Sequence, residues 1–249
     1  MYLYIYDSFL NHKKYNDLLI KIEKRITDLG IKGKVARLSV LKNMKELILD
    51  GVKDGVQTVV VIGNSQSFAK VINIVADLDV TLGLIPVDNN STIAKIMGIP
   101  PGVLACDILA SRIIKKVDLG KINNHYFINN AEIINGDVVI EYDKFKITPT
   151  TTDNRITLYN FAAADNVSVP SKPVDGVLEA VITPIKSTLF GKKDISGTVL
   201  PFTKIKIGSN SEEQVSIVTD EQIIMKTPAE ITVTPEKLKI IVGSDRQFE

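Results

Sequence analysis

The sequence contains no tryptophan, one cysteine and two histidines. A lone Cys106 can form no intrachain disulfide, and with only His12 and His125 for company it offers none of the ligand spacings of a zinc site. It is expected as a small buried residue rather than a nucleophile, and no metal-binding motif is expected. An excess of one charge is missing too. Lys and Arg total 30 against 29 Asp and Glu, leaving +1, so no global field draws the chain to nucleic acid or an anionic bilayer. The apolar runs, such as Val59 to Ile62 and Ile113-Ile114, fall far below the roughly 20 residues needed to cross a membrane, so no transmembrane segment is expected. The N-terminus has neither a basic n-region nor a small-residue cleavage site and reads as a strand. These absences together fit a cytoplasmic protein. There is also no Walker A sequence, complete dinucleotide fingerprint, HExxH or aromatic-basic array, which argues against those enzyme classes and against nucleic-acid binding.

What is present is enough apolar residue, 45% of 249, to bury one large core or two modest ones. The first hundred residues alternate strand-like and helix-like segments, the pattern of a parallel sheet with crossover helices. Strands are expected at Leu3 to Tyr6, Val35 to Val40, Thr58 to Ile62 and Leu82 to Pro86. Leu18, Leu19, Ile22, Ile26 and Leu29 recur at helical spacing and are followed by Gly30, a helix-stop residue. Further helices are expected at Met44 to Gly51, around Phe68 to Val75, and at Thr92 to Met97. Beyond about Ile113, Thr and Val become common, period-2 alternation takes over, and Asn135-Gly136 and Asp175-Gly176 mark turns. Strands are expected there at Val138 to Tyr142, Ile156 to Phe161, Leu178 to Ile182, Val215 to Val218 and Ile231 to Thr234. The expected class is α/β: an N-terminal doubly wound, mostly parallel sheet domain over residues 1–115, and a C-terminal antiparallel β-sandwich over 116–249 whose end returns to the first domain.

In such parallel sheets ligands bind beyond the carboxyl ends of the strands. The turn Gly63-Asn64-Ser65-Gln66-Ser67 follows a buried strand and opens a helix, so its N–H groups and the helix dipole could face a phosphate. The second turn, Asp88-Asn89-Asn90-Ser91-Thr92, also opens a helix. Small polar residues are equally what any loop ending in an N-cap contains, and residue type alone favours that reading. Tyr2, Tyr4 and Tyr6 share one face of the first strand and are expected as packing residues. Lys13-Lys14, Lys115-Lys116 and Lys192-Lys193 are expected as solvated surface.

The segments together resemble the catalytic domain shared by diacylglycerol kinases, sphingosine kinases and bacterial lipid kinases. Val59-Val60-Val61-Ile62-Gly63 is similar to that family's strand into its Gly-Gly-Asp-Gly-Thr loop. Gly83-Leu84-Ile85-Pro86, Ala94-Lys95 and Gly98-Ile99-Pro100 are similar to its second nucleotide loop and helix. Val117-Asp118-Leu119-Gly120-Lys121 with Tyr126-Phe127-Ile128-Asn129 looks like the passage into its β domain. Val174-Asp175-Gly176-Val177-Leu178-Glu179 and Pro228-Ala229-Glu230-Ile231 look like two later segments. The resemblance implies a first domain of the NAD kinase and diacylglycerol kinase type, ATP and Mg2+ as cofactors, and a nucleotide or lipid as partner. It implies nucleotide contacts at Gly63, Asn64, Ser65, Gln66 and Ser67 and at Asp88, Asn89, Asn90, Ser91 and Thr92.

The departures fall where the family's chemistry sits. Asn64, Ser65 and Gln66 stand at the positions of Gly, Asp and Gly, so the loop has lost its carboxylate; Lys70 replaces an acid, and Asp7-Ser8 replaces Asn-Pro. Counting back from Pro228, the family's Asp-Gly-Glu aligns with Asp220-Glu221-Gln222, and the amide Gln222 cannot act as a general base. The helical stretch that follows Phe127-Ile128-Asn129 in the family is missing, so the acceptor site is expected to be absent. Asp220 and Asp175 remain as residual acidic candidates. The expected function is a diacylglycerol kinase-fold protein, catalytically degenerate, with a structural or a nucleotide-, phosphate- or lipid-binding role. The alternative is an active ATP-dependent lipid kinase with a rearranged site built on Asp88, Asp175 and Asp220. A third reading is a non-enzymatic partner protein, including a homo-oligomer formed through β edges.

Overall fold

The computed structural model describes residues 1–38, 43–134, 136–151, 153–161, 172–188, 191–194, 197–220 and 223–248. The chain divides into two compact units, Met1–Val117 with Lys237–Glu249, and Asp118–Glu236.

In the first unit the strands β1 (Tyr2–Tyr6), β2 (Gly33–Arg37), β3 (Thr58–Gly63) and β4 (Thr81–Pro86) pair in parallel in the order β2-β1-β3-β4. Every residue of β3 and β4 is buried, as the unbroken apolar run Val59 to Ile62 requires of a strand covered on both faces. The helices α1 (Asn16–Asp28), α2 (Met44–Lys53), α3 (Ser65–Val75), α4 (Thr92–Ile96) and α5 (Leu104–Ser111) supply the cover. On α1 the buried residues are Leu19, Ile22 and Ile26, one face of a 3.6-residue period, and Gly30 follows at φ +69°. Helix α2 meets β1 where the missing side chain of Gly51 admits Leu3, and α5 meets β4 where that of Gly83 admits Leu109. Alternation along β1 sends Tyr4 and Tyr6 to the α1 side, where both are buried and Tyr4 Oη donates to the Ile31 carbonyl at 2.5 Å. Burial pushes both phenol pKa values up.

Two details differ from the sequence expectations. Strand β2 starts at Gly33, two residues before Val35, and passes so close to β1 there that a side chain on Gly33 would overlap the Tyr2 carbonyl; residues 39 and 40 of the expected strand lie outside the described residues. Helix α5 is not signalled by the sequence pattern. No side chain caps its start at Val103, and it ends on Arg112 at φ 52° instead of a glycine, so it carries neither usual boundary signal.

The second unit is an antiparallel sandwich. One sheet contains β5 (Ile114–Ile122), β6 (His125–Phe127), β8 (Val138–Tyr142), β9 (Phe145–Ile147), β14 (Lys204–Ser209) and the first part of β17 (Ala229–Ile241). The other contains β7 (Asn130–Ile134), β10 (Asn154–Tyr159), β11 (Leu178–Thr188), β12 (Gly191–Asp194), β13 (Thr198–Phe202), β15 (Ser216–Thr219) and β16 (Ile223–Lys226). Their inner faces bury Phe127, Ile133, Ile140, Leu158, Phe202 and Ile231 in one core. Strands β11 and β17 run well beyond the segments expected from alternation, and the end of β17 pairs in parallel with β4 in the first unit through Lys239↔Thr81. Asn123, at φ 51°, forms the β5–β6 turn; Gly176, at φ +73°, sits in the expected Asp175-Gly176 turn, while Asn135 lies outside the described residues. Among the described residues no helix is long and apolar enough to cross a membrane.

Candidate functional site

Parallel pairing decides which loops meet. Tyr6 is level with Ile62 and Gly63 with Pro86, and the ladder continues one residue further: Asp7 N donates to Ile62 O at 3.2 Å and Val87 N to Gly63 O at 3.0 Å. The loops after β1, β3 and β4 therefore leave the same carboxyl edge side by side. This brings Asp7, the segment Gly63 to Ser67 and the segment Asp88 to Thr92 to one place.

The loop after β3 is closed on itself. Asn64 Oδ1 accepts from Ser67 N at 3.2 Å, and Ser67 Oγ in turn accepts from Asn64 N at 3.2 Å, a reciprocal capping box at the start of α3. Ser67 is fully buried, and its hydroxyl donates to Asp7 Oδ2 at 2.6 Å. Gly63 has to be glycine here: a Cβ on it would overlap Ser67 Oγ and lie 2.6 Å from Ser67 Cβ and 3.6 Å from Asp7 Cβ. Ser65 is half-buried, Gln66 exposed, and Lys70 points to solvent. In the second loop Asp88 Oδ1 accepts from Asn90 N at 2.9 Å, and the buried Ser91 caps α4 by accepting from Ala94 N at 3.2 Å. Asp88, Asn89 and Asn90 are exposed and Thr92 is the first residue of α4. A cavity of about 240 Å³ on the α1 side of β1, lined by Tyr4, Tyr6, Glu23 and Ile26 among others, touches none of these loops.

The residual acidic candidates belong to the second unit, and their carboxylates are engaged by backbone. Asp220 is 6% exposed and accepts from three consecutive amides: Ile128 N at 3.0 Å, Asn129 N at 2.8 Å and Asn130 N at 3.3 Å. The exposed Asp175 accepts from Val177 N at 3.0 Å, closing its own turn. Asp118, which patterning did not single out as an acid, is 1% exposed; it accepts from Gly176 N and from Glu236 N, both at 2.7 Å. Glu221 and Gln222 lie outside the described residues. Cys106 is buried in α5 beside the Ile22 carbonyl, and burial, with Asp107 next to it, pushes its thiol up to about 11.

That thiol yields a prediction. Because the folded state disfavours the thiolate, its contribution to stability is complete below the ordinary pKa near 9.0 and is lost as pH rises towards about 11. Maleimide labelling of Cys106 at pH 8 is expected to proceed only on unfolding, so its rate should rise with urea. Rapid labelling in buffer would show the thiol to be accessible.

No family model matches the chain. Among curated proteins it is 34% identical over 77 residues to a diacylglycerol kinase of Bacillus subtilis (strain 168), a match spanning 29% of this chain and 25% of that relative. Among solved structures, a diacylglycerol kinase from Bacillus anthracis str. Sterne superposes with TM-score 0.79 over 98% of this chain and 97% of its own length, at 19% identity. The chain has the diacylglycerol kinase fold. Two further structures from the same organism superpose at TM-scores 0.78 and 0.79, with 16% and 17% identity. Two-domain topology is thus retained where little of the sequence is.

The family that the sequence resembles works with ATP and a divalent metal, and the donor set can be tested against the metal. A hard cation such as magnesium is held by oxygen donors, chiefly carboxylates. Among the described residues no three His, Cys, Asp or Glu side chains gather into such a set. In the loop after β3 the nearest carboxylate, Asp7, is committed to Ser67. The described residues do not fit the metal.

Proposed function

We propose that this chain is a diacylglycerol kinase-fold protein that does not transfer phosphoryl groups and serves a structural or ligand-binding role. Phosphoryl transfer relies on positioned charge: a metal held by carboxylates against the phosphates, and a base for the attacking hydroxyl. The observation that carries the reading is the commitment of the acids. Asp220 accepts from the amides of residues 128 to 130, Asp175 closes its own turn, and the loop after β3 offers Asn64, Ser65 and Gln66 where a carboxylate is needed. The three backbone donors fix this buried carboxylate in place, so turning it towards a metal would cost hydrogen bonds that hold the loop from Ile128 to Asn130.

Purified protein supplied with Mg-ATP and diacylglycerol in mixed micelles is expected to form no phosphatidic acid above the enzyme-free blank. Lipid phosphorylation that scales with protein concentration would overturn the proposal in favour of an active kinase with a rearranged site. If diacylglycerol alone raises the melting temperature, the retained role is lipid binding; if neither lipid nor nucleotide does, it is structural. A reducing cytoplasm suits the single buried thiol of Cys106.

A further inference from the structure

We infer that the loop after β3 carries its own anion: the Asp7 carboxylate occupies the position at the start of α3 that a polyphosphate would take, and its charge excludes nucleotides. This rests on the reading of the chain as a protein that does not transfer phosphoryl groups, and extends it from chemistry to binding. Three facts converge. The N-terminus of an 11-residue helix favours negative charge, and this one opens on the carboxyl edge of the sheet, where the loops of β1, β3 and β4 meet. Asp7 Oδ2 accepts a hydrogen bond from the fully buried Ser67 hydroxyl at 2.6 Å, within the first turn of that helix, and Ser8 Oγ donates to Asp7 Oδ1 at 3.2 Å. Among the described residues no Lys or Arg forms an ion pair with Asp7, and its carboxylate oxygens accept from two hydroxyls, those of Ser8 and Ser67.

The disagreement between fold and donor set then has a cause. The fold supplies an anion-favouring edge, and the chain fills it from within. A phosphate entering beside Asp7 would meet a fixed like charge at contact distance. Asparagine at position 7 keeps the shape and can still accept from Ser67 Oγ while removing the charge.

Isothermal titration with pyrophosphate and with ATP, both without metal, tests this on the full chain. The wild-type protein is expected to show no binding at millimolar ligand, and Asp7→Asn to bind at least about tenfold more tightly. Ser67→Ala, which removes the hydroxyl but leaves the carboxylate, should behave as wild type. If Asp7→Asn proves unfolded by its melting curve, Asp7→Ser serves in its place and is judged by the same outcome. Equal affinity in wild type and the position-7 variant, whether measurable in both or in neither, overturns the inference. That result leaves the proposal on phosphoryl transfer standing, whereas phosphatidic acid made by the wild-type protein would defeat that proposal by itself.

Discussion

Asp220→Ala is expected to destabilise the second unit by roughly 3–5 kcal/mol, measured as a lower midpoint in urea at unchanged slope. The carboxylate is buried and accepts from three successive amides, Ile128 N, Asn129 N and Asn130 N, which join β6 to β7. Alanine would leave these donors without the acceptor and would place a Cβ residue with no polar side chain at φ 47°, a left-handed conformation that Asp and Asn tolerate best. Asp220→Asn should cost less, because its amide oxygen can still serve Asn129 and Asn130. Its Nδ2, however, would face the Ile128 N–H, donor against donor. A loss below 1 kcal/mol for the alanine variant would mean that these hydrogen bonds do not hold the turn. The result matters for function as well: loss of any activity in Asp220→Ala would report unfolding before it reported catalysis, so this substitution cannot identify a catalytic acid.

Gly120→Ala is the second large effect. Gly120 and Phe127 are cross-strand partners in the β5–β6 hairpin, and the Phe127 ring lies directly over the glycine; a Cβ there would overlap three ring atoms. Phe127 is fully buried in the sandwich core, so the ring cannot swing into solvent and the strain must go into the backbone or the core. About 3 kcal/mol of destabilisation is expected, read from thermal unfolding. Phe127→Leu alone should also be destabilising, yet the double variant should cost less than the sum of the two, because leucine vacates the space the new methyl needs. Strict additivity would show that ring and glycine are not in contact.

The fold was legible where burial is periodic and local. Leu19, Ile22 and Ile26 declare α1, Gly30 its end, and the run Val59 to Ile62 a strand covered on both faces. Periodicity does not give the order in which the strands join; β2-β1-β3-β4 comes from the structure. Helix α5 was missed because Val103 and Arg112 carry no boundary signal; its place is set by Leu109 packing on Gly83 and by Arg25 of α1 meeting Asp107.

The candidate site was legible as a loss and not as an arrangement. That Asn64, Ser65 and Gln66 leave the loop without a carboxylate is plain from residue types alone. What the remaining acids do is not. Asp7 and Ser67 are 60 positions apart, Asp220 and Asn129 are 91 apart, and Asp118 and Glu236 are 118 apart.

Sequence alone determined the class of architecture, since helix and strand periods, turn residues and apolar runs act between near neighbours, and it determined which chemical groups are missing. Tertiary structure alone decided the employment of each carboxylate that is left. A charged group is claimed by whichever donors the folded chain brings within about 3 Å, and those donors come from strands far away along the chain.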